Sequence, residues 1–568
     1  NDLAGKNMLI KKLPAAESLG AATIICSDKT GTITRNQMTV TKMYCDNKTL
    51  EVEGQGYKPE GRFLMDGREA RPNEMMLRIG LLCNNAGLTE SDGEYKVTGD
   101  PTEGSLIVLG RKAGLSRRKL EEEHELVKEL PFDSERKRMS VIYREKKDDE
   151  AKAYVKGAPD FLLKVCDRIL VDGEVRKLTG EDRERIHEVN ESYARQALRV
   201  LALAYKSVPN EKEYSIESVE GDLVFTGLAG MIDPPREGVR EAVMECGTAG
   251  IKVMMITGDH AVTAKAVAEQ IGLYGENDLI LTGKEIEGMG DGELEDKIED
   301  VRIIARALPI QKSRIVDALK KKMHVVAMTG DGVNDAPALK KADIGIAMGI
   351  TGTGVAKEVS KAVLTDDNFA TIVHAIEEGR NIYDKMIKSA KYLLSCNSGE
   401  IFSVIIAIFL SFPIPLLPLQ ILLINMLTDT FPALGLGFES SEKGIMKRKP
   451  RDPGQKPLTR SIFISIVLFG LIMGAGTIYV FTQYKDSDLR KAQTMAFTTL
   501  VMFQMFAVIS SRSLHPSLEK LNPLSNKLLL AAILASLTIQ AAVIYWSPLQ
   551  SVFKTVALTA GEWLKIIA

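Results

Sequence analysis

Beyond residue 380 the chain carries several apolar runs of about 20 residues, the length at which an α-helix crosses the hydrocarbon core of a bilayer. No other feature narrows the possible folds as much. Five spans are expected, near 390–411, 416–437, 461–483, 491–510 and 526–546, and a further apolar segment opens at Trp563. The preceding part is charge-rich, so the mean hydropathy of −0.02 averages a soluble half with a membrane half. The loop after the second span holds Lys447-Arg448-Lys449-Pro450-Arg451, which the positive-inside rule puts in the cytoplasm together with the soluble half. An integral membrane protein is expected, in the plasma membrane if the source is a prokaryote.

A chain of 568 residues exceeds a single core, and several domains follow. Its 73 basic and 75 acidic side chains cancel to a net charge of −2, which removes the global electrostatic case for a nucleic-acid partner. Cys26, Cys45, Cys83, Cys166, Cys246 and Cys396 form no CxxC pair and no secreted-scaffold spacing, as befits thiols in a reducing cytosol. Asn1 is no initiator methionine and starts no signal peptide, and Trp563 to Ala568 only opens an apolar segment, so both ends are expected to be cut.

The run from Ala21 to Cys26, rich in β-branched residues, stops at Ser27-Asp28-Lys29-Thr30-Gly31-Thr32, the pattern of a buried strand emptying into a polar loop. The design recurs: Ile251 to Ile256 ends in Thr257-Gly258-Asp259, Val325 to Met328 in Thr329-Gly330-Asp331, and Ile344 to Met348 at Gly349. Helix-like stretches such as Glu237 to Cys246 and Lys312 to Lys321 alternate with these strands and imply a doubly wound parallel sheet. Ligands of such sheets bind beyond the carboxyl ends of the strands, which gathers Asp28, Asp259 and Asp331. Between Asn36 and Met231 lies a long insertion with its own strand-like and helical patterns, and Asp233-Pro234-Pro235-Arg236 gives its exit a stiff hinge.

A carboxylate can attack phosphorus, and Asp28 suits the nucleophile that becomes an aspartyl phosphate. An anion attacking a polyanion needs neutralisation, for which Asp331 can share Mg2+ with Asp28 while Lys312 offers a phosphate-directed cation. Inside the spans, Glu400 and Asp429 stand out, because ionisable residues in lipid are costly and usually functional. Asn397 lies three residues from Glu400, while Asn425, Thr428 and Asp429 share one helical face, so the two faces can converge. Such a cage of carboxylate, amide and hydroxyl oxygens suits a hard cation such as Ca2+, with Pro432 loosening the second helix and freeing carbonyls. The plainer reading of these polar pairs is a helix-packing network.

Asp28-Lys29-Thr30-Gly31-Thr32, Lys156-Gly157-Ala158-Pro159, Thr257-Gly258-Asp259 and Thr329-Gly330-Asp331-Gly332-Val333-Asn334-Asp335-Ala336-Pro337 occur in the order seen in P-type ATPases. From Leu13 onward the chain resembles that family, and within it the calcium pumps of the reticulum type. The resemblance implies a multidomain α/β plus α-helical membrane fold. A haloacid dehalogenase-like, Rossmann-like phosphorylation domain (1–36 and 233–380) would be split by an α+β nucleotide-binding domain (37–232) and followed by a transmembrane helix bundle (381–568). By the same resemblance Asp28 is phosphorylated, Asp331 and the Thr30 main chain hold Mg2+, and Thr257, Gly258, Lys312 and Asn334 contact phosphate, with Asp335 and Asp259 supporting the metal. Phe132 would stack on adenine, with Glu103, Lys137, Lys156, Arg199 and Arg306 around ATP. Ser134 departs from the pattern, since reticulum pumps carry arginine there.

In the spans, Asn397-Ser398-Gly399-Glu400 and Asn425-Met426-Leu427-Thr428-Asp429 resemble the fifth and sixth spans of those pumps, and sodium-potassium pumps carry aspartate in place of Asn425. Gln504 stands where reticulum pumps carry a glutamate ligand, which leaves one or two Ca2+ per ATP open. The implied activity is ATP-driven export of Ca2+; pumping of H+, Na+ or Mn2+, or a membrane-anchored phosphatase, are the alternatives. The resemblance further implies partners absent from this sequence, an actuator domain and four preceding spans. Two strings are set aside. Gly349-Ile350-Thr351-Gly352-Thr353-Gly354 lacks the P-loop arrangement, and Thr179-Gly180-Glu181 copies the family's dephosphorylation triplet inside the insertion, where a helix start is expected.

Overall fold

The computed structural model describes residues 4–54, 56–91, 93–146, 151–209, 213–442, 444–452, 454–455, 457–513 and 524–567; the expected outer boundaries at residues 1 and 568 lie outside these. The β-branched runs pair into an eight-stranded sheet in the order Met8–Ile10, Ala362–Leu364, Ile344–Met348, Val326–Gly330, Ile24–Asp28, Lys252–Thr257, Val301–Ala305, Leu279–Thr282. All neighbours are parallel except the first pair. Strand Ile24–Asp28 sits in the middle because later strands add on one side of it and then on the other. That reversal opens a crevice at its carboxyl end.

The insertion forms a separate, largely antiparallel sheet of eleven strands. Its entry and exit strands, Thr39–Cys45 and Leu223–Ile232, pair with each other, with Thr39 beside Ile232. The two crossing segments are themselves tied: Thr34 bridges Pro235, and Asp233 accepts hydrogen bonds from the Thr34 hydroxyl at 2.5 Å and the Gln37 amide at 3.0 Å.

Among the described residues five helices are long and apolar enough to cross a membrane: Phe369–Phe409, Pro418–Gly437, Arg460–Thr482, Leu489–Ser510 and Lys527–Tyr545. The first differs from expectation. The change in composition near residue 380 is no break in the backbone, because a single helix of 41 residues, about 60 Å long, runs from the parallel sheet into the bundle. Its charged part stays helical by packing on protein. The buried Arg380 guanidinium donates to the carbonyls of Ala249, Ile445 and Arg448, and Lys388 pairs with Glu442 at 2.7 Å. The basic loop is thereby docked on both the soluble part and the first span. Gly470 and Gly474 bring the third span against the first, where a Cβ would meet the side chains of Ser398 and Phe402 at 2.5 and 2.7 Å.

Candidate functional site

Asp28 ends the central strand, and the chain then turns through Thr30 and Gly31, whose φ of +79° favours glycine. The Asp28 amide donates to Thr329 Oγ1 at 2.9 Å, which locks the end of this strand to its neighbour. Lys312, buried on helix Pro309–Lys321, donates to Asp28 Oδ2 and to Asp335 Oδ1, both at 2.8 Å. Oxygens of Asp28, Asp331 and Asp335 lie within 4.8 Å of one another. Asp335 is held from behind by the amides of Asp331 and Gly332 at 3.2 and 3.1 Å. Burial and the neighbouring Asp28 and Asp335 charges raise the carboxyl pKa of Asp331 above its ordinary value. Burial works against the charged Lys312, but Asp28 and Asp335 outweigh it and raise its pKa. Three carboxylates against one ammonium leave an excess of negative charge, a donor set that fits a hard divalent cation such as Mg2+.

Other expected members stand differently. Asp259 is outside this triplet and is ion-paired with Lys29, so its charge is already matched. Thr257 is buried and its hydroxyl accepts from the Asp259 amide at 3.1 Å, while Gly258, Asn334 and Arg306 are exposed at the rim. His260 caps helix Ala261–Gln270. Two residues that the sequence reading did not place at the site brace two of its loops. Arg236, at the exit hinge, donates to the carbonyls of Gly31 at 2.9 Å and Thr34 at 3.2 Å. Asp367, fully buried, gathers the amides of Gly349, Ile350 and Thr351 at 2.6 to 3.0 Å. The same loop donates from the Thr353 amide to the Asp331 carbonyl at 2.8 Å. The loop after Met348 is a brace and not a phosphate cradle of the P-loop kind.

In the second sheet, Lys156 is buried and pairs with Glu103 at 2.6 Å, and the other Glu103 oxygen accepts from the Asn85 amide at 2.9 Å. Phe132 is 62% exposed, an uncommon outlay for so large an apolar ring. A bulge sets it opposite Met139, whose other neighbour is Lys156. Arg199 lines the cleft between the two sheets together with Lys29, Thr30, Asp233 and Asp259. Thr179 is the N-cap of helix Gly180–Arg195 in a reciprocal capping box with Asp182, which accounts for that triplet.

Within the spans, Asn425 Nδ2 donates to Glu400 Oε2 at 2.9 Å. Asp429 accepts from the Tyr392 hydroxyl and from Gln504 Nε2, both at 3.3 Å. Glu400 Oε1 and Gln504 Oε1 are buried without a hydrogen-bond partner among the described residues. The second span is unwound into a π turn at Ile424–Thr428, just upstream of Pro432. Pro432 has no amide hydrogen to give Thr428, whose carbonyl accepts instead from the Ser536 hydroxyl at 3.3 Å. The expected convergence of the two faces is incomplete: Asn397 is exposed and makes no side-chain hydrogen bond among the described residues. Tyr392 joins the cluster instead; it lies two helical turns from Glu400, a spacing visible in the sequence but unremarked because tyrosine is common in bundle cores.

Comparison with known proteins follows the same outline. The family model described as "P-type ATPase, cytoplasmic domain N" matches residues 73–238, and that described as "Cation transporting ATPase, C-terminus" matches residues 413–568. The calcium-transporting ATPase of Bacillus subtilis is 46% identical over 98% of this chain and 64% of its own length. The cation-transporting ATPase pma1 of Synechocystis is 39% identical over 99% and 64%, and the human calcium-transporting ATPase type 2C member 1 is 39% identical over 99% and 60%. The chain thus spans less than two thirds of the length of these relatives. With both family models and near-complete coverage of the chain in agreement, it belongs to the P-type cation-transporting ATPases.

Proposed function

We propose that this chain is the phosphorylation, nucleotide-binding and C-terminal membrane part of an ATP-driven Ca2+ pump, with residues 1–36 and 233–380, 37–232, and 381–568 as the working units. Asp28 attacks the γ-phosphorus of ATP, forming the aspartyl phosphate and releasing ADP. Lys312 offsets the charge that gathers on the transferred group, and Thr257, Gly258 and Asn334 supply donors to its oxygens. Mg2+, held by Asp28, Asp331 and the Thr30 carbonyl, would neutralise phosphate charge when bound. Phe132, Glu103, Lys137, Lys156, Arg199 and Arg306 serve the nucleotide. Glu400, Asn425, Thr428, Asp429 and Gln504, with Asn397, ligate the transported Ca2+.

The observation that carries this reading is the unbroken helix Phe369–Phe409. It begins beside Asp367, the anchor of the loop that touches Asp331, and it bears Glu400. A change of state at Asp28 therefore has a rigid route to the cation ligands. The soluble units lie on the cytoplasmic side, on the basic loop at 447–451. The actuator domain and four preceding spans of the family architecture are the partners this reading calls for, and the same chemistry in a bacterium would serve the plasma membrane. The test is acid-stable labelling from γ-labelled ATP, with and without Ca2+, in the wild type, Asp28→Asn and Asp429→Ala. Label surviving in Asp28→Asn removes the nucleophile; label indifferent to Ca2+ but responsive to another ion removes calcium.

A further inference from the structure

Glu220 is buried at the C-terminal cap of the short helix Ile216–Val219, just ahead of strand Leu223–Ile232 and far in sequence from the turn that presents Phe132. Its carboxylate accepts from the Arg136 guanidinium, from Arg138 Nε at 2.6 Å and from the Ser140 hydroxyl at 2.7 Å. Arg136 passes the hold onward by donating from its other terminal nitrogen to the Pro131 carbonyl at 3.0 Å. The turn itself closes on Asp133, whose Oδ1 accepts the Glu135 and Arg136 amides at 3.0 and 2.8 Å, and Lys137 completes it with φ of +55°. Such charge-assisted bonds in a buried setting are the strong kind. They turn both arginines inward, each only partly exposed, while Phe132 and Lys137 are among the turn's exposed side chains.

We propose that Glu220 is the positioning residue of the nucleotide pocket: it fixes the Pro131–Ser140 turn so that Phe132 stands as a preset platform beside Lys156, and it withholds Arg136 and Arg138 from the nucleotide phosphates. The phosphates are then left to Lys137 and Lys156 on this side, which gives Ser134 its context: the turn has cations in plenty, but Glu220 directs two of them away. This rests on the reading of Phe132 as the adenine platform. Removing the negative charge while keeping the shape frees both guanidiniums and loosens the ring, so a preorganised surface becomes one that must be ordered on binding.

The experiment uses membranes holding the full-length pump and compares Glu220→Gln, Ser140→Ala, Phe132→Ala and wild type. Phosphorylation is titrated from ATP and, separately, from inorganic phosphate, which reaches Asp28 without the nucleotide pocket. Glu220→Gln is expected to raise the half-saturating ATP concentration about tenfold with labelling from inorganic phosphate retained, and Ser140→Ala about threefold. Equal loss of both labels in Glu220→Gln, or an unchanged ATP half-saturation there while Phe132→Ala raises it, overturns the proposal. An unchanged ATP half-saturation in Phe132→Ala overturns the adenine reading instead.

Discussion

Two acidic clusters sit at opposite ends of one helix system, and they solve the same electrostatic problem differently. Asp28, Asp331 and Asp335 have Lys312 among them, a fixed cation that bonds two of the three. Among the described residues Glu400 and Asp429 have no ion pair: their hydrogen-bond donors are the neutral Asn425, Gln504 and Tyr392. Burying carboxylates beside dipoles alone is costly, and the two acceptor oxygens left without partners, on Glu400 and Gln504, add to the cost. On the proposed function the soluble cluster persists while phosphate and metal come and go, whereas the membrane cluster needs a mobile cation and its energy falls most when one arrives.

The comparison breaks first at Asp28. Asp28→Asn is expected to lower acid-stable labelling by a factor of roughly a thousand or more, because the amide that replaces the carboxylate is no nucleophile toward phosphorus; residual label at a tenth of wild type would move the nucleophile elsewhere. Lys312→Met comes next. It leaves Asp28 and Asp335 facing each other without their shared ammonium, and loss of one such electrostatic contact costs on the order of a hundredfold to a thousandfold in phosphorylation rate. If the membrane cluster depends on a mobile cation, Asp429→Asn shifts the Ca2+ concentration for half-maximal labelling by about a hundredfold. A shift below threefold would mean that Asp429 serves helix packing.

The same contrast gives a pH test. Burial and the charges of Asp28 and Asp335 raise the Asp331 pKa, and the metal binds only the deprotonated form. Mg2+ half-saturation of phosphorylation is thus flat above the raised value and climbs, by up to about tenfold per unit, as pH falls through it. The climb begins at a higher pH than an unperturbed aspartate would give, and Asp331→Asn abolishes it.

Much of this was legible in the sequence where side-chain pattern and backbone need coincide. Apolar β-branched runs ending in Asp28, Thr257-Gly258-Asp259 and Thr329-Gly330-Asp331 require strands with their carboxyl ends together, and the apolar runs have few folds open to them but spans. What escaped is what depends on main-chain partners. Arg236 and Asp367 bond carbonyls and amides of distant loops, and those leave no mark on residue identity. The family resemblance implies that Asp259 supports the metal, and its place at a strand's carboxyl end puts it near Asp28 and Asp331; what residue identity does not show is its ion pair with Lys29, one residue past Asp28. Helical spacing put Asn397 near Glu400, yet spacing gives a shared face and not its depth, and the two differ in burial.

The finest test lies at Pro432, where an expectation about backbone became a specific contact. A proline there denies Thr428 its helical donor, and the freed carbonyl belongs to the residue just before Asp429 of the membrane cluster. The Ser536 hydroxyl occupies it at 3.3 Å, from the fifth span. A carbonyl paired with a hydroxyl is a poorer ligand than a free one, so Ser536 holds back an oxygen that a cation could otherwise claim. Ser536→Ala leaves the Thr428 carbonyl without its donor, and buried acceptors seek the nearest positive charge. Ca2+ half-saturation is therefore expected to improve by about twofold to threefold, with thermal stability slightly lowered. If the hydroxyl instead serves to brace the unwound turn for the ion, the same variant weakens Ca2+ binding. The sign of that shift decides whether the fifth span restrains the membrane cluster or completes it.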